Sequence, residues 1–201
     1  MVGSSYWFWD TPSWGQAEIW ALVFLLVPSI LLRRNGKSFL TGLINGVDNR
    51  WSTSKASAVL WSYGVLFAFV AILLRTHGSG FDNVGLSDQY LLLLGIPVTA
   101  AVSAAAITQD KVEKDPEKKT KEKAPPNPVR GIGQLVSNDA GDPDLLDAQY
   151  LAFSVVLLGY FFVQFLSAES ATLPTLPGTL VGLAGVSAAG YVAKKGVQKT
   201  P

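Results

Sequence analysis

The residues with chemistry to offer are few and bunched. Asp139, Asp142, Asp144 and Asp147 fall close together, a density of carboxylates that could hold a divalent cation. Their spacing does not follow the calcium-loop series, and the bidentate glutamate that closes such a loop is missing. An acidic turn that caps a helix accounts for them better, with Asp142-Pro143 as N-cap and first helical position. Just upstream, Lys118, Lys119, Lys121 and Lys123 could contact anionic lipid headgroups or a protein partner. Five acids are interleaved with the six lysines between Asp110 and Lys123, however, leaving a local charge of +1, which favours a solvated linker.

His77 is the single histidine and cysteine is absent. Disulfides, thiolate metal sites and a cysteine nucleophile are therefore excluded, and one histidine by itself builds neither a His-based metal site nor a conventional triad. No phosphate-cradling glycine loop and no nucleophile–base pair can be picked out. The expectation is a protein that is not an enzyme and holds no metal and no cofactor. The remaining candidates concern packing. Gly178-x-x-x-Gly182, extended by Gly185, Ala189 and Gly190, is a small-residue motif that lets helix backbones approach, either within the chain or between copies in a homo-oligomer.

What must position these residues is a membrane fold. The 201-residue chain is 49% hydrophobic and only 15% charged, against roughly a quarter charged for ordinary soluble domains. Mean hydropathy is +0.30. A net charge of +1 supplies no basic field that would argue for nucleic acid.

Aromatic residues crowd the N-terminus (Tyr6, Trp7, Phe8, Trp9, Trp14), which suits an outer headgroup belt. The apolar run from Ala17 to Leu32 is followed by Arg33 and Arg34, a stop-transfer pattern that predicts a first span over about residues 15–32, with Pro28 near its end. Residues 38–47 carry apolar side chains at helical spacing and read as a short interfacial helix. Further spans are expected over 56–74, entered through Ser52-Thr53-Ser54, over 90–107 with Pro97 inside, over 148–166, and over 178–193.

The organisation is thus residues 1–55 with the first span and interfacial segment, a hairpin in 56–107, a charged cytoplasmic linker in 108–147 broken by Pro125, Pro126 and Pro128, and a second hairpin with a basic tail in 148–201. No apolar run carries a charge near its middle, so proton relays and coupling-ion sites are unexpected. Ser62, Thr99, Ser103, Ser154 and Ser187 are expected to hydrogen-bond within or between helices.

Shifting the chain by 92 residues places Leu60-Trp61-Ser62 on Ala152-Phe153-Ser154 and Ser52 on Asp144. A shift of 90 places Leu93-Leu94-Gly95-Ile96 on Leu183-Ala184-Gly185-Val186. The pattern predicts an all-α integral membrane bundle of five transmembrane helices containing a duplicated two-helix hairpin, a parallel repeat such as some transporters show about an axis along the membrane normal. Basic residues fix the orientation. One side receives Arg33, Arg34, Lys37, Arg50, Lys55, the seven basic residues from Lys111 to Arg130, and Lys194, Lys195 and Lys199, whereas the other receives Arg75. The N-terminus is expected outside and the C-terminus in the cytoplasm.

The strings STSK (52–55) with Leu60-Trp61, YLLLLGIP (90–97), LVSND (135–139), Asp147-Ala148-Gln149-Tyr150, and LPTLP (173–177) with GVSAAGYVAKK (185–195) resemble a family of uncharacterised multi-pass bacterial inner-membrane proteins. The resemblance covers the last four spans and implies their topology and a bacterial inner membrane, but no reaction, ligand or site residue. The expected role is a membrane anchor or scaffold subunit that binds a cytoplasmic protein partner. The alternative is a small oligomeric pore, holin-like or an ion channel.

Overall fold

The structure is a computed structural model in which residues 12–34, 37–45, 51–78, 84, 87–114, 131–138, 142–168 and 170–197 are described. The aromatic residues Tyr6 to Trp9, the lysines Lys118, Lys119, Lys121 and Lys123, the prolines of the linker, Gly46, Val47 and Asp139 lie outside them. Six helices and a 3-10 turn make up the described chain: α1 (Trp14–Leu31), α2 (Phe39–Ile44), α3 (Thr53–Thr76), α4 (Asp88–Lys114), the 3-10 turn Gly131–Val136, α5 (Leu145–Ala168) and α6 (Gly178–Val197). Extended pairing among the described residues is limited to β1 (Arg33–Arg34) against β2 (Lys37–Ser38) and two isolated bridges.

The all-α class holds. Four helices, α1, α3, α4 as far as Ile107, and α5, are long and apolar enough to cross a membrane. The fifth expected span, α6, has the length, 20 residues, but falls short in apolarity. Gly178, Gly182, Gly185, Gly190 and Gly196 dilute it, and Lys194 and Lys195 occupy its last turn.

Local chemistry sets the helix ends. A capping box starts α1: the Gln16 amide donates to Ser13 Oγ (3.4 Å) and the Ser13 amide to Gln16 Oε1 (3.0 Å). Pro28 lies in its last turn, where Ser29 Oγ reaches the Leu25 carbonyl and the Tyr63 hydroxyl of α3, each at 2.6 Å. Helix α3 begins at Thr53, three residues before the expected Ala56, because the Ala56 amide already bonds to the Ser52 carbonyl. Ser52 stands at the cap position, yet its hydroxyl bonds to Ser54 Oγ and does not cap. At the far end His77 takes a left-handed conformation, φ 49°, and closes the helix.

Two boundaries differ more from expectation. Helix α4 does not stop at Ile107; it runs 27 residues to Lys114 and carries its polar end about two turns past the apolar stretch. Helix α5 starts at Leu145, not Ala148, and its cap is Asp144, not Asp142. Asp144 Oδ1 accepts from the amides of Leu146 (3.0 Å) and Asp147 (3.3 Å), while Pro143 is held out of the helix by its bridge to Ser137. The segment 108–147 therefore yields both ends to helices and holds a folded turn between them.

Helix α3 is the hub. It packs against α1, α4 and α5, and α6 closes the group by packing on α4 and α5. The main core joins Trp61, Tyr90, Phe161 and Phe165 through edge-to-face and stacked ring contacts 6.0–6.3 Å apart. Gly64 permits the close approach of α3 to α5, since a Cβ there would lie 2.7 Å from Leu158 Cδ1. Opposite the basic end, the Arg75 guanidinium lies 5.6 Å over the Trp14 ring, the Tyr90 hydroxyl donates to the Pro174 carbonyl, and the Leu176 amide donates to Gln89 Oε1.

Candidate functional site at the basic end of the bundle

Where α3 and α5 begin and α6 finishes, opposite charges from two helices converge. Lys194, in the last turn of α6, places Nζ 2.5 Å from Asp144 Oδ2 and 3.2 Å from Asp147 Oδ1. All three side chains are shielded, with exposures of 11%, 15% and 3% for Lys194, Asp144 and Asp147. The geometry also suits the helix dipoles, because carboxylates sit at the positive N-terminus of α5 and an ammonium at the negative C-terminus of α6. Burial at Asp144 works against ionisation. The Lys194 hydrogen bond, the Asp147 amide, the Lys194 charge and the Leu146 amide outweigh it and hold this carboxyl below its ordinary value of 3.8.

A second layer of polar contacts surrounds the ion cluster. Lys195 Nζ lies 5.9 Å over the Tyr191 ring, which packs against Tyr150 at 5.6 Å. Ser54 Oγ donates to Tyr191 Oη at 3.5 Å, and Ser57 and Ser154 share a buried hydrogen bond of 2.8 Å between α3 and α5. Tyr150 Oη is buried with no partner at hydrogen-bonding geometry, and Ser57, paired with Ser154, lies beside it. The 3-10 turn is docked on the start of α3. Thr53 Oγ1 donates to the Leu135 carbonyl (2.6 Å), and the Trp51 amide to Gln134 Oε1 (3.0 Å). The Asp144 amide bonds to the Val136 carbonyl at 2.8 Å, so the turn is continuous with the cap of α5.

Chemically this is a clasp. The two carboxylates share one lysine from another helix, and among the described residues no group of three or more His, Asp or Glu side chains could hold a metal ion. Of the packing candidates, Gly185 would place a Cβ 3.4 Å from Ile96 Cδ1 and so meets α4, whereas Gly178 and Gly182 face open space and Ala189 is exposed. Sequence reasoning put Asp147 in the linker and Lys194 among orientation charges, and did not join them. The signal present was an Asp-x-x-Asp at one helix start and a Lys-Lys at the end of the next.

The fold and this site define an all-helical bundle with four membrane-capable helices, clasped at its basic end. No protein-family model, no curated protein and no solved structure matches the chain.

Proposed function

We propose that the chain is a non-enzymatic five-span protein of a bacterial inner membrane, a membrane anchor or scaffold subunit that binds a protein partner on its cytoplasmic face. The observation that carries this reading is the clasp. Lys194, Asp144 and Asp147 tie the linker's second half to the bundle, so residues 131–138 and 142–147 form a fixed platform. A docking surface of that kind costs little ordering entropy when a partner binds.

Five spans are supported by the course of α6, which starts near Gln89 at one end of the bundle and reaches Asp147 at the other. It traverses the bundle from end to end, packed on α4 and α5 along one side. Cytoplasmic placement of the basic end rests on the lysine and arginine asymmetry, and the resemblance to multi-pass inner-membrane proteins agrees with it. The duplicated hairpin is supported by the helix bounds. Helices α3 and α5 each have 24 residues and start at 53 and 145, a shift of 92, and α4 and α6 start at 88 and 178, a shift of 90.

Among the described residues, the void lined by Trp61, Leu93, Pro97, Tyr150 and Ala184 measures about 10 Å³, the scale of a single water, and does not favour conduction through one copy. Affinity capture from native membranes, with the intact protein and with one lacking residues 115–130, tests the reading. A partner retained by the first and lost by the second is expected; steady conductance of the pure protein in planar bilayers, with no such partner, would sink it.

A further inference from the structure

The two hairpins meet through different faces. Helix α3 meets α5 with Ser57, Trp61, Gly64 and Phe67, while α5 meets α3 with Ser154, Leu158, Phe161, Phe162 and Phe165. Shifted back by 92, the second set falls at 62, 66, 69, 70 and 73. At roughly 100° per residue, the two sets lie on nearly opposite sides of the helix. A two-fold axis would bring equivalent faces together. The hairpins instead stand head to tail, close to a translation, so the outer faces of the pair are left without partners. This arrangement leaves one unused face at each end of the chain, and the repeat relates those two faces to the pair that meets inside it.

We infer that a second copy of this chain docks there, with its first hairpin against the open face of the second hairpin. The inference rests on the duplicated hairpin proposed above and makes the internal interface the template for the external one. Three contacts carry over. Gly64 against Leu158 falls, by the shift, on Val156 against Leu66 of the next copy, a wider approach because valine replaces the glycine; these side chains are 57% and 47% exposed. Ile96 against Gly185, shifted by 90, becomes Val186 against Gly95, where Val186 is 73% exposed and a Cβ on Gly95 would meet nothing within 4 Å. The Ser57–Ser154 hydrogen bond becomes one between Gln149 and Ser62.

Chemistry on the open face favours a protein neighbour over lipid. Gln149 and Gln164 both lie on it and both are exposed, although α5 is otherwise apolar along that side. A glutamine amide directed at lipid is costly, and hydrogen bonding across helices is its usual resolution in a membrane. Helix α1 does not block the approach. It packs on α3 through Tyr63, about 100° from Ser62 and about 60° from Leu66 on the wheel, so an arriving helix lies alongside α1. Copies joined this way continue as a row in the membrane plane or close as a ring.

The test uses the intact protein in native membranes, where the absence of cysteine makes single placements clean. A chain with Leu66→Cys and a chain with Val156→Cys, carrying different tags, are co-expressed and oxidised. A mixed disulfide dimer is expected, with like-with-like dimers at least about tenfold weaker, and Gly95→Leu on the first chain should lower the mixed dimer by a similar factor. Ser57→Cys with Ser154→Cys in one chain should close within that chain, in the Gly95→Leu background as well. If that bond forms and no mixed dimer appears, the head-to-tail contact is wrong and the hairpin packing stands. Predominant Val156–Val156 or Leu66–Leu66 dimers would replace it with a two-fold contact. Failure of the intrachain bond overturns the packing of the hairpins and the inference together.

Discussion

Asp147 and Lys194 stand 47 residues apart in the chain and 3.2 Å apart in space, with the Asp147 side chain only 3% exposed. Removing one partner of a shielded pair strands the other, which costs more than the pair itself contributes. Lys194→Met leaves Asp144 and Asp147 facing each other across the α5 N-terminus. Unfolding in a detergent titration should show a loss of about 3 kcal/mol, and a loss below about 0.5 kcal/mol would mean that the clasp does not bear on stability.

The clasp also predicts an acid limb. The folded-state carboxyl of Asp144 titrates below its ordinary 3.8, so its contribution is fully present above that value and is lost as pH falls through the lower folded value. Asp144→Asn retains an oxygen able to cap α5 but gives up that titration. Melting temperature plotted against pH should fall more steeply below pH 4 in the unmodified protein than in Asp144→Asn. Parallel curves would show that the lysine contact does not bias this carboxyl.

The long helices are legible in the sequence because apolar length is a local property: α1, α3 and α5 lie within a few residues of the expected spans. The site was not legible in the same way. Asp147 and Lys194 meet only because α5 and α6 pack antiparallel in one register, and no spacing rule along the chain encodes that. Asp142-Pro143 has the composition of a cap and first turn, and it loses to Asp144 because Ser137 pairs with Pro143 from outside the helix. Helix α4 runs past the expected Ile107; its charged continuation has the composition of a linker, although Asp110 and Lys114 stand at a spacing that supports helix.

Tyr150 gives a prediction of opposite sign. Its ring packs on Tyr191 while its hydroxyl is buried and unbonded, a state that costs on the order of 1 kcal/mol or more. Tyr150→Phe keeps the ring and removes the stranded group. Stability should hold or rise by up to about 1 kcal/mol, and a drop of that size would reveal a partner for the hydroxyl.

Orientation is tested independently of packing. Single cysteines at Ser4, Ser79 and Ser170 should react with a membrane-impermeant thiol reagent in intact cells, and those at Ser38, Ser137 and Thr200 should react only after lysis. Labelling at Ser137 from outside would invert the topology and move the clasp to the other face.

Two glycines separate what holds one copy together from what joins copies. At Gly64 a side chain enters the α3–α5 contact. A methyl group meets the movable end of Leu158 at 2.7 Å, so Gly64→Ala should cost about 1 kcal/mol, and Gly64→Val, which adds a second branch against Phe162, about 2–3 kcal/mol. At Gly182 the same enlargement meets open space, and Gly182→Ile should leave the folded copy as stable as before. Gly182 shares the exposed side of α6 with Val186 and Ala189, so its enlargement should reduce self-association, read by energy transfer between labelled copies in bilayers, by about tenfold. Loss of folding in Gly182→Ile would place that glycine inside the copy, against the open space described here. Unchanged folding with unchanged association would remove α6 from any contact between copies and confine the head-to-tail interface to α3 and α5.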